Sequence, residues 1–399
     1  MRLGLRRRRA PAPARACVVL HGWYPLDARV EREVQVALDE GYEVDVFATR
    51  QPGQPAEELV DGARVLRVPP AHLQGGGLRR ALQEYLGFTA LVAAVVARQA
   101  VRRRYRVVHV NNPPDFLLLA ALVPKLLGAR VILDIHDLSP EMFAQRFDGR
   151  PGAGLAERLL RAIERVATRF ADEVVTVHEP YRRELVARGV PAGKITVVMN
   201  TVDERAAPPQ PPPGGADGFR VVYHGTVTPL YGVELLVEAA GRVARDVPQL
   251  HLEVYGHGDA LPAVRERAGQ LGIADRVSLS GRFVPRLELL GIVRTADVGV
   301  IPNLPVRMNL HALPTKLFEY VTLGVPVVCA DLPTIREHFS DEEVLFYRAG
   351  DADALAEALR RVAADPEAAA RRAAAALVRY EAYRWPVSAR RYAALLPAT

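Results

Sequence analysis

Along this chain, short runs of apolar and mostly β-branched residues alternate with longer stretches whose apolar positions recur every three or four residues. A strand covered on both faces is apolar throughout, whereas the helix covering it is apolar on one side, so the alternation predicts parallel sheets with crossover helices. In the first half the pattern predicts strands over 16–21, 43–48, 64–68, 106–110, 130–135, 173–177 and 195–198. In the second half it predicts them over 219–224, 250–255, 276–280, 297–301, 325–329 and 344–347. Between the two sets lies Pro208-Pro209-Gln210-Pro211-Pro212-Pro213-Gly214-Gly215. Its prolines cannot donate to a ladder and its glycines do not hold a helix, which marks a linker.

The chain's 399 residues suit two domains of about 200 residues each rather than one core. The expected organisation is a disordered basic tail over 1–15, an α/β domain over 16–203, a linker over 204–218 and a second α/β domain over 219–385. The segment 386–399 is expected to return as a helix to the first domain. Doubly wound sheets bind ligands beyond the carboxyl ends of their strands, so chemistry is expected in a cleft between the domains. Polar residues do fall at predicted strand ends: His21 and Gly22, His136 and Asp137, His224 and Gly225, and Gly256-His257-Gly258.

Composition narrows the function classes. At 49% hydrophobic and 25% charged the composition reads as that of a globular protein rather than a disordered or membrane-spanning one. The net charge of +6 suggests a polyanion binder, but Arg2, Arg6, Arg7, Arg8, Arg9 and Arg15 supply it from the amino-terminal tail. The remaining body is neutral, which argues against nucleic acid as a partner. Cys17 and Cys329 lie in apolar runs and read as buried small hydrophobes, in keeping with a reducing compartment. No apolar run of export-signal type follows the arginines, so no export is expected. The longest apolar stretch, 86–101, is broken by Arg98 and Gln99 and falls short of the roughly 20 residues of a membrane span. The wider segment 78–104, rich in Leu, Val and Arg, has two readings: a helix lying on an anionic membrane surface, or a crossover helix with a solvated basic end.

The most informative stretch runs from Asn309 to Val328. It reads as a loop, a helix starting around Pro314 and a stop at Gly324 before an apolar strand. Amides in the first turn of such a helix form an anion site. Lys316 and Glu319 share one face, so an ammonium can meet a phosphate while the carboxylate accepts from vicinal hydroxyls. The plainer alternative is an exposed ion pair. Only Lys125, Lys194 and Lys316 are lysines among 52 basic residues, so a compact point charge stands out here. Asp351 and Asp353 mimic a metal-binding Asp-x-Asp pair but open an alanine-rich helix, where acids act as caps. Gly256-His257-Gly258 lacks the third glycine of a dinucleotide fingerprint. No cluster has metal-ligand spacing along the sequence, and no metal is expected.

Several segments fit one family pattern when taken together. They are Tyr223-His224-Gly225-Thr226 with Tyr231 to Leu236, Tyr255-Gly256-His257-Gly258-Asp259, Leu279-Ser280-Gly281-Arg282-Phe283-Val284, Ala296 to Pro302, and the lysine-glutamate helix. In the first half Leu133 to Glu141 and Val198 to Asp203 join them. On these residues the chain resembles the retaining nucleotide-sugar glycosyltransferases of family four, glycosyl transferases group 1, over roughly 18–396. The resemblance implies the GT-B architecture, two facing Rossmann-like domains, the first for the acceptor and the second for the donor. It also implies retaining transfer of a sugar from a nucleotide-diphosphate donor to a hydroxyl of a glycan, lipid-linked or small-molecule acceptor, in cell-surface glycan or glycolipid synthesis. The expected place is the cytoplasm, at the inner face of the membrane with peripheral contact to anionic lipid, and no cofactor is expected.

The same resemblance assigns residues. His136, with Asp137 beside it, would lie near the transferred sugar, Lys316 would hold the diphosphate and Glu319 the ribose. Gly225, Thr226, Arg307, His311, Leu313 and Thr315 would complete the donor site, and Gly256, Phe283 and Val284 would meet the base. The chain departs from the pattern at His311, where the family has the first glutamate of a pair, and at Thr226 and Tyr231, where it has arginine and lysine. These departures keep two alternatives open: a catalytically silent GT-B scaffold, and a sugar-nucleotide epimerase.

Overall fold

The computed structural model describes residues 13–69, 78–147, 152–202 and 218–399. Most of the expected basic tail and all of the proline-glycine run lie outside the described residues. The chain forms two compact units, one within Met1–Val198 with Ser388–Thr399, the other Met199–Val387.

The first unit is built on β1 (Arg15–Leu20), β2 (Glu43–Thr49), β3 (Glu57–Val60), β4 (Ala63–Val68), β5 (Val107–Asn111), β6 (Arg130–Ile135), β7 (Glu173–Thr176) and β8 (Ile195–Val197). The sheet order is β3-β4-β2-β1-β5-β6-β7-β8, parallel except for β3 against β4. The chain winds outward from β1 through β2, then returns to place β5 on the other side of β1. That reversal opens a crevice at the carboxyl ends of β1 and β5. The second unit repeats the plan with β9 (Phe219–His224), β10 (Leu250–Tyr255), β11 (Val277–Leu279), β12 (Val298–Ile301), β13 (Val327–Ala330) and β14 (Leu345–Tyr347), in the order β11-β10-β9-β12-β13-β14. Its reversal lies between β9 and β12. Cys17 and Cys329 are both free and buried within their sheets.

Three sequence expectations need correction. Arg15 belongs to β1, not to the tail, because its guanidinium is tied at 2.7 Å to Glu43 and at 3.1 Å to the carbonyl of Arg103. Residues 199–202 go with the second unit rather than the first, where Val202 is buried and its carbonyl accepts the Tyr380 hydroxyl at 3.3 Å. The strand β3 was not foreseen. It is an antiparallel edge strand whose side chains are largely exposed, and the turn that joins it to β4 places Asp61 and Gly62 at positive φ. Asp-Gly between two extended runs is the usual hairpin signal.

The helix Leu78–Arg103 buries Phe88, Val92, Val96 and Ala100 in the core of the first unit. Its part Leu82–Arg103, at mean hydropathy 1.2, is long and apolar enough to cross a membrane by length and composition, contrary to the shorter count from sequence. One face of it is packed in the core, as in a crossover helix, while Leu82, Leu86, Leu91 and Val101 on its other sides are exposed.

In the second unit Gly299 of β12 lets the Tyr320 ring lie flat on the strand, and a Cβ there would overlap the ring. Tyr320 is fully buried and donates to the carbonyl of Val222 at 3.2 Å, so it cannot swing away. Gly299→Ala is expected to destabilise the chain by about 1–3 kcal/mol. Gly291→Ala, in the Arg286–Val293 helix with open space at its Cβ, is expected to be neutral or stabilising by about 0.5–1 kcal/mol. Urea denaturation of both variants checks this, and equal stabilities would contradict the close packing.

Candidate functional site

In the second unit the site grows from a close backbone approach. Past β9, Gly225 adopts φ +116°, and Gly256, just past β10, lies so near the Gly225 carbonyl that a Cβ would overlap it. Gly258 stands in the same relation to Val227. The two loops are stitched by Gly225 N–H to Tyr255 O and Val227 N–H to His257 O, both at 2.9 Å. Gly256 and Gly258 are therefore explained by packing, and no dinucleotide site is needed to account for them.

Over this floor stands Lys316, from the helix Thr315–Thr322. Its ammonium donates to the Tyr223 hydroxyl at 2.9 Å, and that hydroxyl donates to the carbonyl of Thr226 at 2.7 Å. The nitrogen also lies 4.0 Å from the centre of the Tyr223 ring and 5.1 Å from that of Tyr231. Aromatic faces partly compensate a cation withdrawn from water. Burial nevertheless lowers the Lys316 pKa to about 7, with Glu319 working against the shift. A Cβ on Gly225 would stand 3.1 Å from the nitrogen, so the glycine keeps the approach to it open. The helix has Pro314 before it and no side-chain cap, which leaves its first amides to an anion.

Glu319 lies one turn on, with Oε2 3.4 Å from His224 Nε2. Burial, aided by the Lys316 charge, drives the His224 pKa down to about 3, so this imidazole is neutral and the contact is polar rather than ionic. The plainer alternative, an exposed pair between Lys316 and Glu319, gives way to contacts with Tyr223 and His224. The structure thus brings Gly225, Thr226, Lys316 and Glu319 together.

The other residues expected at a donor site lie on a short helix just before this one and on the turn between them, up to the first residue of this one. Arg307 opens and His311 closes a short helix, Arg307–His311, with Arg307 exposed. Leu313 is half-buried and Thr315 exposed. Buried Asn309 ties the segment down by donating to the carbonyls of Leu230 and Leu304, both at 2.8 Å. Of the expected base contacts, Phe283 is 67% exposed and free to stack, whereas the Val284 side chain is turned into the core and can offer only its backbone.

In the first unit, His136 and Asp137 follow β6 and are held by Asn112, which follows β5. The Asn112 Oδ1 accepts from the backbone N–H groups of His136 at 3.1 Å and Asp137 at 3.3 Å, and its Nδ2 donates to the Asp137 carbonyl at 2.6 Å. The His136 ring remains 19% exposed, with Nδ1 3.6 Å from Asp134 Oδ2. Asp134 is itself clasped by Arg29 through two bonds, 2.6 and 2.9 Å, and Arg29 also donates to Val198 O at 2.8 Å. Burial opposes charge on His136, but Asp134 first, then Asp137 and Asp27, outweigh it and raise its pKa to about 9. The imidazole is therefore a cation at neutral pH, a donor and not a base.

Behind it, Glu33, His109 and Asp134 place ligand-type atoms within 4.8 Å of one another, a cluster that spacing along the sequence did not show. Both Asp134 oxygens go to Arg29, and His109 Nδ1 lies 2.7 Å from the Tyr392 hydroxyl. A guanidinium fills the role of the cation there. Burial lowers the His109 pKa to about 4 and raises that of Glu33, so both sit neutral beside the Arg29–Asp134 pair. Sequence reasoning gave no role to Arg29, Asn112, His109, Tyr223 or Tyr392. The one available signal was polar residues inside or just past otherwise apolar strands. Asp351 caps the helix Ala352–Ala364, accepting from the N–H groups of Asp353 and Ala354 at 2.9 and 3.0 Å, and Asp353 pairs with Arg242 at 3.3 Å.

Both halves of the chain match known families. Residues 27–201 match the family described as "Glycosyl transferase 4-like domain" and residues 218–365 that described as "Glycosyl transferases group 1". The chain is 29% identical over 326 residues to a D-inositol 3-phosphate glycosyltransferase of Geodermatophilus obscurus, covering 76% of this chain and 69% of that protein. It is 25% identical over 374 residues to a phosphatidyl-myo-inositol mannosyltransferase of Mycobacterium leprae, covering 91% of this chain and 90% of that protein. In fold it is similar to sucrose-phosphate synthase from Thermosynechococcus elongatus, with a TM-score of 0.75 at 20% identity over 96% of this chain and 98% of that one.

The charge state of His136 has a measurable signature. Its pKa of about 9 in the fold exceeds the ordinary value of about 6.5, so the imidazolium adds stability that is complete below pH 6.5 and lost as pH rises through 9. The melting-temperature gap between parent and His136→Ala is expected to be widest near pH 6 and to close near pH 10. A gap that does not vary with pH would contradict the Asp134–His136 pairing.

Proposed function

The chain belongs to the group 1 glycosyltransferases, and from that premise we propose that it moves a sugar from a nucleotide-diphosphate donor to an acceptor hydroxyl with the anomeric configuration retained. The observation that carries this reading is the half-buried Lys316 above Gly225, beside an uncapped helix start. As the glycosidic bond breaks, negative charge collects on the departing diphosphate. A lysine already stripped of water and a row of fixed amides stabilise that charge without having to reorganise. The Glu319 carboxylate accepts from the ribose hydroxyls, a charge-assisted pairing.

His136, cationic at neutral pH, donates a hydrogen bond to the transferred sugar rather than abstracting a proton. Asp134 and Asn112 hold it in place, and Arg29 holds Asp134. Lys316 and the amides supply the positive charge that a metal would supply elsewhere, so turnover proceeds without a divalent cation. The relatives named for inositol phosphate and phosphatidyl-myo-inositol support a polyol acceptor, and the second of them one borne on a lipid, which would set the chain at a membrane face.

Lys316→Ala and Glu319→Ala are each expected to weaken nucleoside diphosphate binding by about 1.5–3 kcal/mol. Titration calorimetry reads this, and variants that bind like the parent would misplace the donor site. His136→Ala is expected to lose on the order of a hundredfold in turnover with donor affinity retained. EDTA is expected to leave the parent's turnover intact, and a rate restored only by Mg²⁺ or Mn²⁺ would contradict the lysine-and-amide account.

A further inference from the structure

The first unit carries an apolar face that its own core does not use. On the helix Ala153–Phe170, Leu155 is 74% exposed, Leu159 60% and Val166 67%. Spaced by four and seven residues, they form one stripe. Leu119 and Leu122, from the neighbouring segment, are also exposed and line with Leu159 and Val166 a groove of about 400 Å³ floored by Leu118 and Phe170. Leu126 extends the face further.

The charges around this stripe are one-sided. Arg158, Arg165 and Arg169 of the same helix are exposed. Its two acids are engaged: Glu157 pairs with Arg161 at 2.9 Å, and buried Glu164 pairs with Arg188 at 2.8 Å. Asp115, the acid at the groove, is buried and accepts from Asn112 at 2.9 Å. The outward surface therefore presents aliphatic side chains and arginines. A patch of this size needs a reason, and an apolar stripe flanked by cations matches a leaflet whose headgroups are anionic and whose interior is hydrocarbon.

We propose that the Leu155–Leu159–Val166 stripe, with the groove it forms against Leu119 and Leu122 and the arginines Arg158, Arg165 and Arg169, docks this chain on an anionic bilayer. The contact proposed here lies on Ala153–Phe170; the helix Leu78–Arg103 buries Phe88, Val92, Val96 and Ala100 in the core and exposes Leu82, Leu86, Leu91 and Val101 as a separate apolar surface. The purpose of the contact rests on the lipid-borne acceptor proposed above, but the test reads binding and not turnover.

The full chain is sedimented with vesicles of phosphatidylcholine alone and of phosphatidylcholine with phosphatidylglycerol at roughly 7:3. The parent is expected to partition at least tenfold more strongly to the anionic vesicles. Leu155→Ser/Leu159→Ser and Arg165→Glu/Arg169→Glu are each expected to lose at least tenfold of that partition, with unchanged melting temperature and nucleoside diphosphate binding. Val378→Ser, an exposed site of the second unit, is expected to behave as the parent. Every variant keeps the amino-terminal arginines and the exposed side chains of Leu78–Arg103, so binding that persists in the two double variants comes from one of these and overturns the proposal. A parent that ignores both vesicles overturns it, as does a parent that elutes as a dimer and a leucine variant that elutes as a monomer, which would assign the face to a second copy. Vesicle binding without turnover would leave this surface standing and count against the transferase reading alone.

Discussion

The second unit depends on the close approach of two backbone loops. Gly256 rests on the carbonyl of Gly225, and Gly258 on that of Val227, with no room for a side chain in either place. This approach brings the loops after β9 and β10 into a single floor at the point where the strand order reverses. It fixes Thr226, whose carbonyl holds the Tyr223 hydroxyl, and that hydroxyl in turn receives the Lys316 ammonium. A lysine on a short helix thereby becomes a positioned charge rather than a solvated one. The cost is desolvation, visible in its lowered pKa, and a phosphate arriving at the uncapped helix start would restore the charge.

The first unit solves a different electrostatic problem. Its buried cluster contains Arg29, Asp134, Glu33, His109 and, at the rim, His136. Arg29 and Asp134 neutralise one another through two bonds, while burial keeps Glu33 and His109 uncharged. The remaining pull of Asp134 falls on His136, the member nearest solvent. A buried ion pair of this kind contributes little net stability. What it contributes here is a histidine that stays cationic well above neutral pH, in a loop whose backbone Asn112 holds rigid. One unit thus presents a fixed cation, and the other a cation that forms fully only when an anion arrives.

The doubly wound plan was legible because each parallel strand, apolar on both faces, stands out between amphipathic helices; β6, β9 and β10 run over the same residues in pattern and structure. The edge strand β3 was not legible by that criterion, since only one neighbour pairs with it and its side chains meet water. Lys316 and Glu319 could be read from their spacing. Their partners could not, because Tyr223 and His224 lie on another strand and only the fold brings them near. The same holds for Glu33, His109 and Asp134, which come from a helix and two strands. Val284 is the converse case, a motif position whose side chain is buried and whose backbone alone is left to a ligand.

The central claim is that Lys316 is a partly desolvated lysine awaiting a phosphate, and the composition offers a direct test, because the chain holds only three lysines. Lysine labelled with ¹³C at Cε and ¹⁵N at Nζ yields three side-chain signals, and the one missing from Lys316→Ala reports this residue. The account predicts that this signal titrates near pH 7 in the free protein and shifts upward by a unit or more when a nucleoside diphosphate is added. A Lys316 signal that titrates at the ordinary lysine value of about 10.4, or that a nucleoside diphosphate leaves unmoved, would contradict it.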